Sequence, residues 1–186
     1  MRLYKNPPIA FSAATGKLAL NDADWNLHWR AGYCKPRQEK AFAAELRLLG
    51  ITYFLPMVER AKNHRRNMYP LFASYVFFAG DEDVRLAALK TDRLVSVVHV
   101  SEAAQHQFRQ ELKSIETALR ASPRMMQLQT QLAQGCKVTY SDGPLAGIQG
   151  ILFDGTDGKQ LWLGVSAIGG GVTIPLPNGS SAISCA

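Results

Sequence analysis

Four histidines, at positions 28, 64, 99 and 106, and three cysteines, at 34, 136 and 185, are the side chains best suited to act as bases, nucleophiles or metal ligands. Their spacing argues against each role. The nearest two cysteines are 49 residues apart, so the chain offers neither a CxxC metal pair nor a disulfide framework. There is also no GxxxxGK phosphate loop, no GxSxG and no HExxH, motifs whose fixed spacing builds a reactive site from one stretch of chain. An enzyme would have to assemble its residues from distant segments and would depend on His64 or His99. We expect a non-enzymatic protein that holds no cofactor and no metal.

The chemistry that is present is that of recognition. Residues 71–79 read LFASYVFFA, a strand apolar on both faces. Val76 and Phe78 can pack under helices on one side, but Tyr75 and Phe77 leave the other side in need of a cover. Just before it, ERAKNHRRNM concentrates positive charge in Lys62, Arg65 and Arg66. Residues 1–134 hold 19 Lys and Arg against 12 Asp and Glu, a net +7, whereas residues 135–186 hold 2 against 3, a net −1. The front of the chain therefore faces an acidic partner, with nucleic acid the usual one.

The elements that would position these residues follow from periodicity. Leu27, Trp29, Ala31 and Tyr33 alternate as a strand does, and Phe42, Leu46 and Leu49 recur at helical spacing before Gly50, predicting a helix over 36–49. Residues 52–58 are rich in strand formers, the basic run forms a hairpin, 83–90 is a short helix and 94–100 a strand. A helix capped by Ser101 then carries Ala104, Phe108, Leu112, Ile115 and Leu119 on one stripe. Pro123 stops it. Beyond Gly135 the texture changes to short strands between Gly, Asp and Pro turns, which describes a small barrel.

The 186 residues, 47% of them apolar, thus read as two small domains: a flexible lead-in at 1–24, an α+β domain at 25–120, a linker at 121–134 and a β-barrel at 135–186. No apolar run is long enough to span a membrane, and the first 24 residues lack the pattern of a secretory signal. A cytoplasmic protein with no membrane partner is expected.

Two stretches taken together are far more specific than composition. WRAGYCKPRQEKAF, LRLLGITYFLPM, a basic hairpin and PLFASYVFF occur in that order, followed by GCKVTYSDGPLAGIQGILF at 135–153. The series resembles the N-terminal (NGN) domain of NusG-type transcription elongation factors followed by their KOW domain. The W-x-x-x-Y-C-K-x-x-Q pattern from Trp29 to Gln38, and GPLAGIQG in the barrel, are more similar to the specialised RfaH-like paralogues.

The resemblance implies an antiparallel NGN sheet with flanking helices, an SH3-like KOW β-barrel, and elongation or antitermination activity. Tyr33, Tyr75 and Phe77 match positions that bind the clamp helices of the largest catalytic subunit of RNA polymerase. Lys35, Arg37, Gln38 and Arg93 match positions that contact upstream or non-template DNA, and Lys62, Arg65 and Arg66 add charge from the hairpin. That contact is expected to be weak and mainly electrostatic. In the barrel, Gly143, Pro144 and Gly147 take structural roles in the KOW motif. Leu145, Ile148 and Ile168 match the surface that receives a small ribosomal subunit protein or the terminator Rho. FASY stands where the family more often has Phe-Pro-Gly-Tyr, and Gly170 where housekeeping members often carry Arg. The factor would act as a monomer. The alternative is a KOW-type RNA-binding or ribosome-associated protein with an unrelated front half.

Overall fold

Strand alternation from Trp29 and helical spacing from Phe42 become two adjacent layers in the computed structural model. It describes residues 6–62, 65–121, 126–129, 135–140, 143–155, 158–176 and 183–185. The chain divides into two units, Met1–Arg109 and Gln110–Ala186. The division falls inside a helix rather than in the expected linker.

In the first unit the chain runs β1 (Ala10–Phe11), α1 (Asp22–Trp25), β2 (Trp29–Cys34), α2 (Glu39–Leu48), β3 (Thr52–Phe54), β4 (Met57–Lys62) and β5 (Arg65–Pro70). There follow β6 (Tyr75–Ala79), α3 (Glu82–Lys90), β7 (Leu94–Val98) and α4 (Glu102–Ala121), which continues into the second unit. Five strands form an antiparallel sheet in the order β1-β3-β6-β2-β7, while β4 and β5 make a separate ribbon. The architecture is α+β, an antiparallel sheet flanked by helices.

One face of the sheet buries Val76 and Phe78 against Phe42 and Leu46 of α2 and Ala88 of α3, the alternation and the helical stripe meeting as their periods require. α2 begins at Glu39, three residues later than the spacing suggests, because Arg37 adopts a left-handed φ of 62° that no helix continues through. Gly50, at φ 66°, closes the same helix. Lys40 of α2 donates to the Met68 carbonyl at 2.6 Å and so fixes the base of the basic ribbon.

The opposite face is aromatic. Trp29, Phe54 and Phe77 lie on it, and Trp25 stacks on Trp29 at 5.0 Å between centroids while meeting Phe54 edge-on at 6.0 Å. Phe72 and Phe108 stand edge-on to Phe77 at 5.8 and 6.0 Å. Gln105 of α4 acts as a short extra strand partner here. Its Oε1 accepts from the Trp29 N–H at 3.0 Å and its Nε2 donates to the Trp29 carbonyl at 2.8 Å, satisfying both main-chain groups of a buried residue.

Residues 6–24 depart from the flexible lead-in that the sequence suggests. β1 pairs with β3, the Tyr53 hydroxyl donates to the Pro8 carbonyl at 3.0 Å, and the Ser12 hydroxyl donates to the buried Asp24 carboxylate at 2.9 Å. Asn21 and Asp24 form a reciprocal capping box on α1, which presents Trp25 to the sheet. Residues 1–5 lie outside the described residues.

The second unit contains β8 (Gln127–Gln129), β9 (Cys136–Tyr140), β10 (Gln149–Gly155), β11 (Gly158–Val165), β12 (Gly170–Pro175) and β13 (Ile183–Cys185). They form one antiparallel sheet in the order β13-β9-β10-β11-β12-β8. Leu161, Leu163 and Val165 of β11 are buried with Val172 and Ile174 of β12, an alternation that marks the inner face of a small β domain. β8 lies within the stretch expected as linker, and its pairing with β12 makes those residues part of the sheet. The remainder of that stretch, 122–125 and 130–134, is outside the described residues.

Candidate functional site

At one end of the first sheet three turns converge: the exit of β2, the start of β6 and the start of β7. They are stitched together by main-chain hydrogen bonds, Cys34 N–H to the Ser74 carbonyl at 2.7 Å and Lys35 N–H to the Arg93 carbonyl at 2.8 Å. The Glu39 carboxylate accepts from the Ser74 N–H at 2.7 Å. Among the described residues, three that are not glycine have positive φ: Arg37 at 62°, Ser74 at 65° and Asp92 at 56°. Each belongs to one of these turns. A left-handed residue with a Cβ costs about 1–3 kcal/mol and persists only where its surroundings dictate it. The register between β2 and β7 also shifts here, leaving Val95 as an extra residue opposite the step from Tyr33 to Cys34, an irregularity that re-aims side chains.

Two rings emerge from this strained end. Tyr33 and Tyr75 face each other across β2 and β6, their centroids 5.3 Å apart and tilted by 44°. Tyr33 is 38% exposed and Tyr75 is half-buried. Phe77, two residues along the same face, is fully buried among Phe54, Phe72 and Phe108. The sequence grouped the three rings as one exposed patch. The structure separates them into an accessible tyrosine pair and a sealed phenylalanine, because α4 and the Phe72 turn supply the cover that the apolar strand required.

The cations at this end are held by anions that sequence reasoning did not single out. Lys35 Nζ donates to Asp92 at 2.7 Å, and that bond holds the Asp92 carboxyl below its ordinary range. Arg93 donates through Nε and one terminal nitrogen to Glu45 at 2.9 and 2.8 Å, and through the other to Gln38 at 2.7 Å. Arg37 is exposed. The structure thus gathers Lys35, Arg37, Gln38 and Arg93 beside the tyrosine pair. Glu39 and Glu45 fall on a helix register that faces these turns, a signal visible only once the turn contacts are known. Cys34, beneath the site, is sealed, and burial followed by the nearby Glu39 charge pushes its thiol up to about 12. It is packing, not a nucleophile.

The ribbon lies apart from the five-stranded sheet. Lys62 and Arg65 are paired on its backbone, but their side chains lie outside the described residues, as does His64. Arg66 is exposed, 3.6 Å from Glu59.

In the second unit Gly143, Pro144 and Leu145 form a 3-10 turn, and Gly147, at φ 83°, donates its N–H to the Tyr140 carbonyl. Open space surrounds the position where a Cβ would stand on Gly147, so it is the backbone sign and not crowding that calls for glycine. Leu145 and Ile148 are buried, and Ile168 is half-buried at the end of a second 3-10 turn, Ser166–Ile168. The Glu111 carboxylate caps that turn, accepting from the Ser166 N–H and hydroxyl at 2.9 and 3.0 Å. Among the described residues no group of His, Cys, Asp and Glu could hold a metal ion, and no helix is long and apolar enough to cross a membrane.

Residues 27–118 match the family model described as NusG, transcription termination factor nusG. The chain carries a NusG-family transcription-factor domain over those residues. Among solved structures it is similar to NusG of Thermotoga maritima, in a structure titled for domain interaction in that protein, at 14% identity and a TM-score of 0.45, covering 85% of this chain and 96% of that one. Comparison with curated proteins finds no match.

Proposed function

We propose that the protein is a non-enzymatic, cytoplasmic transcription elongation factor that docks on RNA polymerase through the strained end of its first sheet. The observation that carries this reading is the tyrosine pair, two large rings left accessible on the one end where the backbone holds three left-handed residues. Rings on a rigid base are the usual anchors of a protein interface, and truncating one costs about 2 kcal/mol or more of binding. The partner is the clamp-helix hairpin of the largest catalytic subunit, with Phe77 supporting the tyrosines from below. Lys35, Arg37 and Arg93 lie where upstream or non-template DNA would pass, and Lys62, Arg65 and Arg66 add positive charge from the ribbon.

Occupying the clamp shifts polymerase away from paused states only by the difference in affinity between the two forms. The outcome is suppressed pausing or termination. The second unit serves as a KOW domain, with Leu145, Ile148 and Ile168 at the end that recruits a small ribosomal subunit protein or Rho. Burial of the first two requires that end to open or that Ile168 lead the contact.

The test is retention of core RNA polymerase on the immobilised full chain, comparing wild type with the Tyr33→Ala, Tyr75→Ala double variant and with Leu18→Ala, an exposed apolar residue outside the three turns, as a surface control. Wild type and the control should retain polymerase, and the double variant should lose at least about thirtyfold, the equivalent of about 2 kcal/mol. Equal retention by all three would place the docking surface elsewhere.

A further inference from the structure

The opposite end of the same sheet holds a cavity of about 610 Å³ that polymerase docking does not use, walled by β2, β7, α3 and the start of α4. Its polar lining includes His28, Arg30, Glu82, Arg85 and Glu102, and its apolar lining is the β7 end, Val97, Val98 and Val100. The volume is in the range of small-molecule sites, and most of the lining residues are polar, with His99 and Ser101 beside the charged groups and the three valines as the apolar part.

The distribution of hydrogen bonds says which charge the cavity lacks. Glu82 is engaged by Arg85, which donates to both carboxylate oxygens at 2.6 to 2.9 Å and lowers the Glu82 carboxyl from its ordinary range. Glu102 receives His28 Nδ1 at 2.9 Å. The tautomer is fixed from the other side, because Gln105, whose Oε1 is committed to the Trp29 N–H, points Nε2 at His28 Nε2 at 3.1 Å. Both carboxylates are therefore occupied.

Arg30 is not. Its side chain is only 14% exposed, its nearest carboxylate contact is Glu82 at 3.8 Å, and its Nε is buried without a hydrogen-bond partner among the described residues. A buried donor of a charged group left unmet is costly, and in native proteins such a group calls for an explanation. A guanidinium fork matches the geometry of a carboxylate or phosphate.

We propose that this cavity binds a small oxyanion-bearing molecule, with a phosphate or carboxylate head on Arg30 and a compact apolar or planar body against Val97, Val98 and Val100. The body follows from size, since a bare anion fills little of such a space. The site stands at the start of β2, while the tyrosine pair stands at its end, so loss of one leaves the other intact.

Calorimetric titration of the full chain with inorganic phosphate, a nucleoside monophosphate and benzoate separates the sources. The head alone should bind weakest, and whichever of the other two binds tighter identifies the head. Arg30→Gln should weaken that probe about tenfold or more, and Arg30→Lys, which keeps charge but loses the fork, should fall between. Methyl resonances of Val97, Val98 and Val100 should move on titration of the wild type, a readout that stands even if the Arg30 variants fold poorly. Absence of binding at probe concentrations on the order of 10 mM, or unmoved valine resonances, overturns the proposal. So does equal affinity in a folded Arg30→Gln protein.

Discussion

Phe77 and Tyr75 sit two residues apart on one face of one strand, yet physics assigns them different work. Phe77 touches three other rings and is fully buried, so its loss removes core. Tyr33 keeps 38% of its surface in water, and its loss removes little that folding depends on. Phe77→Ala should cost about 3–5 kcal/mol of stability through the cavity it leaves. Tyr33→Ala should cost under about 1 kcal/mol. Urea denaturation of the two variants checks this, and a Phe77→Ala midpoint equal to wild type would mean that Phe108 and Phe72 do not hold their places over the ring.

Among the elements, the short ones carry more than their length suggests. β1 is two residues and α1 four, each shorter than the window over which periodicity can be read. That is why the sequence shows nothing but a mixed stretch before Trp25, although the segment supplies an edge strand, a capping box and a tryptophan to the aromatic face. The longer elements were legible because their apolar residues repeat: the stripe on α4 appears as buried Phe108, Leu112, Ile115 and Leu119. The face of β6 that lacked a cover was legible too, but not which rings the cover would take, since Phe72 and Phe108 reach Phe77 from 5 and 31 residues away in sequence. Likewise the cations of the candidate site could be read as types, whereas their ties to Asp92 and Glu45 depend on three turns meeting in space. Deleting residues 1–20 tests the weight of the first segment. We expect a loss of at least about 2 kcal/mol by urea denaturation, with a smaller m-value and increased light scattering as β3 becomes an open edge. An unchanged midpoint would restore the view of this stretch as a passive tail.

At the scale of the whole molecule, charge and aromatic surface make separable contributions to the proposed docking. The net +7 over residues 1–134 supplies a field that any nucleic acid feels. Yet Lys35 and Arg93 are already bonded to carboxylates, so phosphate must compete with Asp92 and Glu45 for them. Affinity for a forked DNA should therefore be weak and fall with salt, with a log–log slope of only about −2 to −3 if Lys35, Arg37 and Arg93 each meet one phosphate. Replacing Arg37 by Ala in the full chain should flatten the slope by roughly 0.7–0.9, the loss of one contact. The Tyr33→Ala, Tyr75→Ala protein should keep the wild-type slope while losing polymerase, because rings without charge release no counterions. Fluorescence anisotropy across a salt series distinguishes the two surfaces. An affinity lowered at every salt concentration in the tyrosine variant, with the slope unchanged, would mean that DNA stacks on the rings, and that the tyrosine pair serves nucleic acid rather than the clamp.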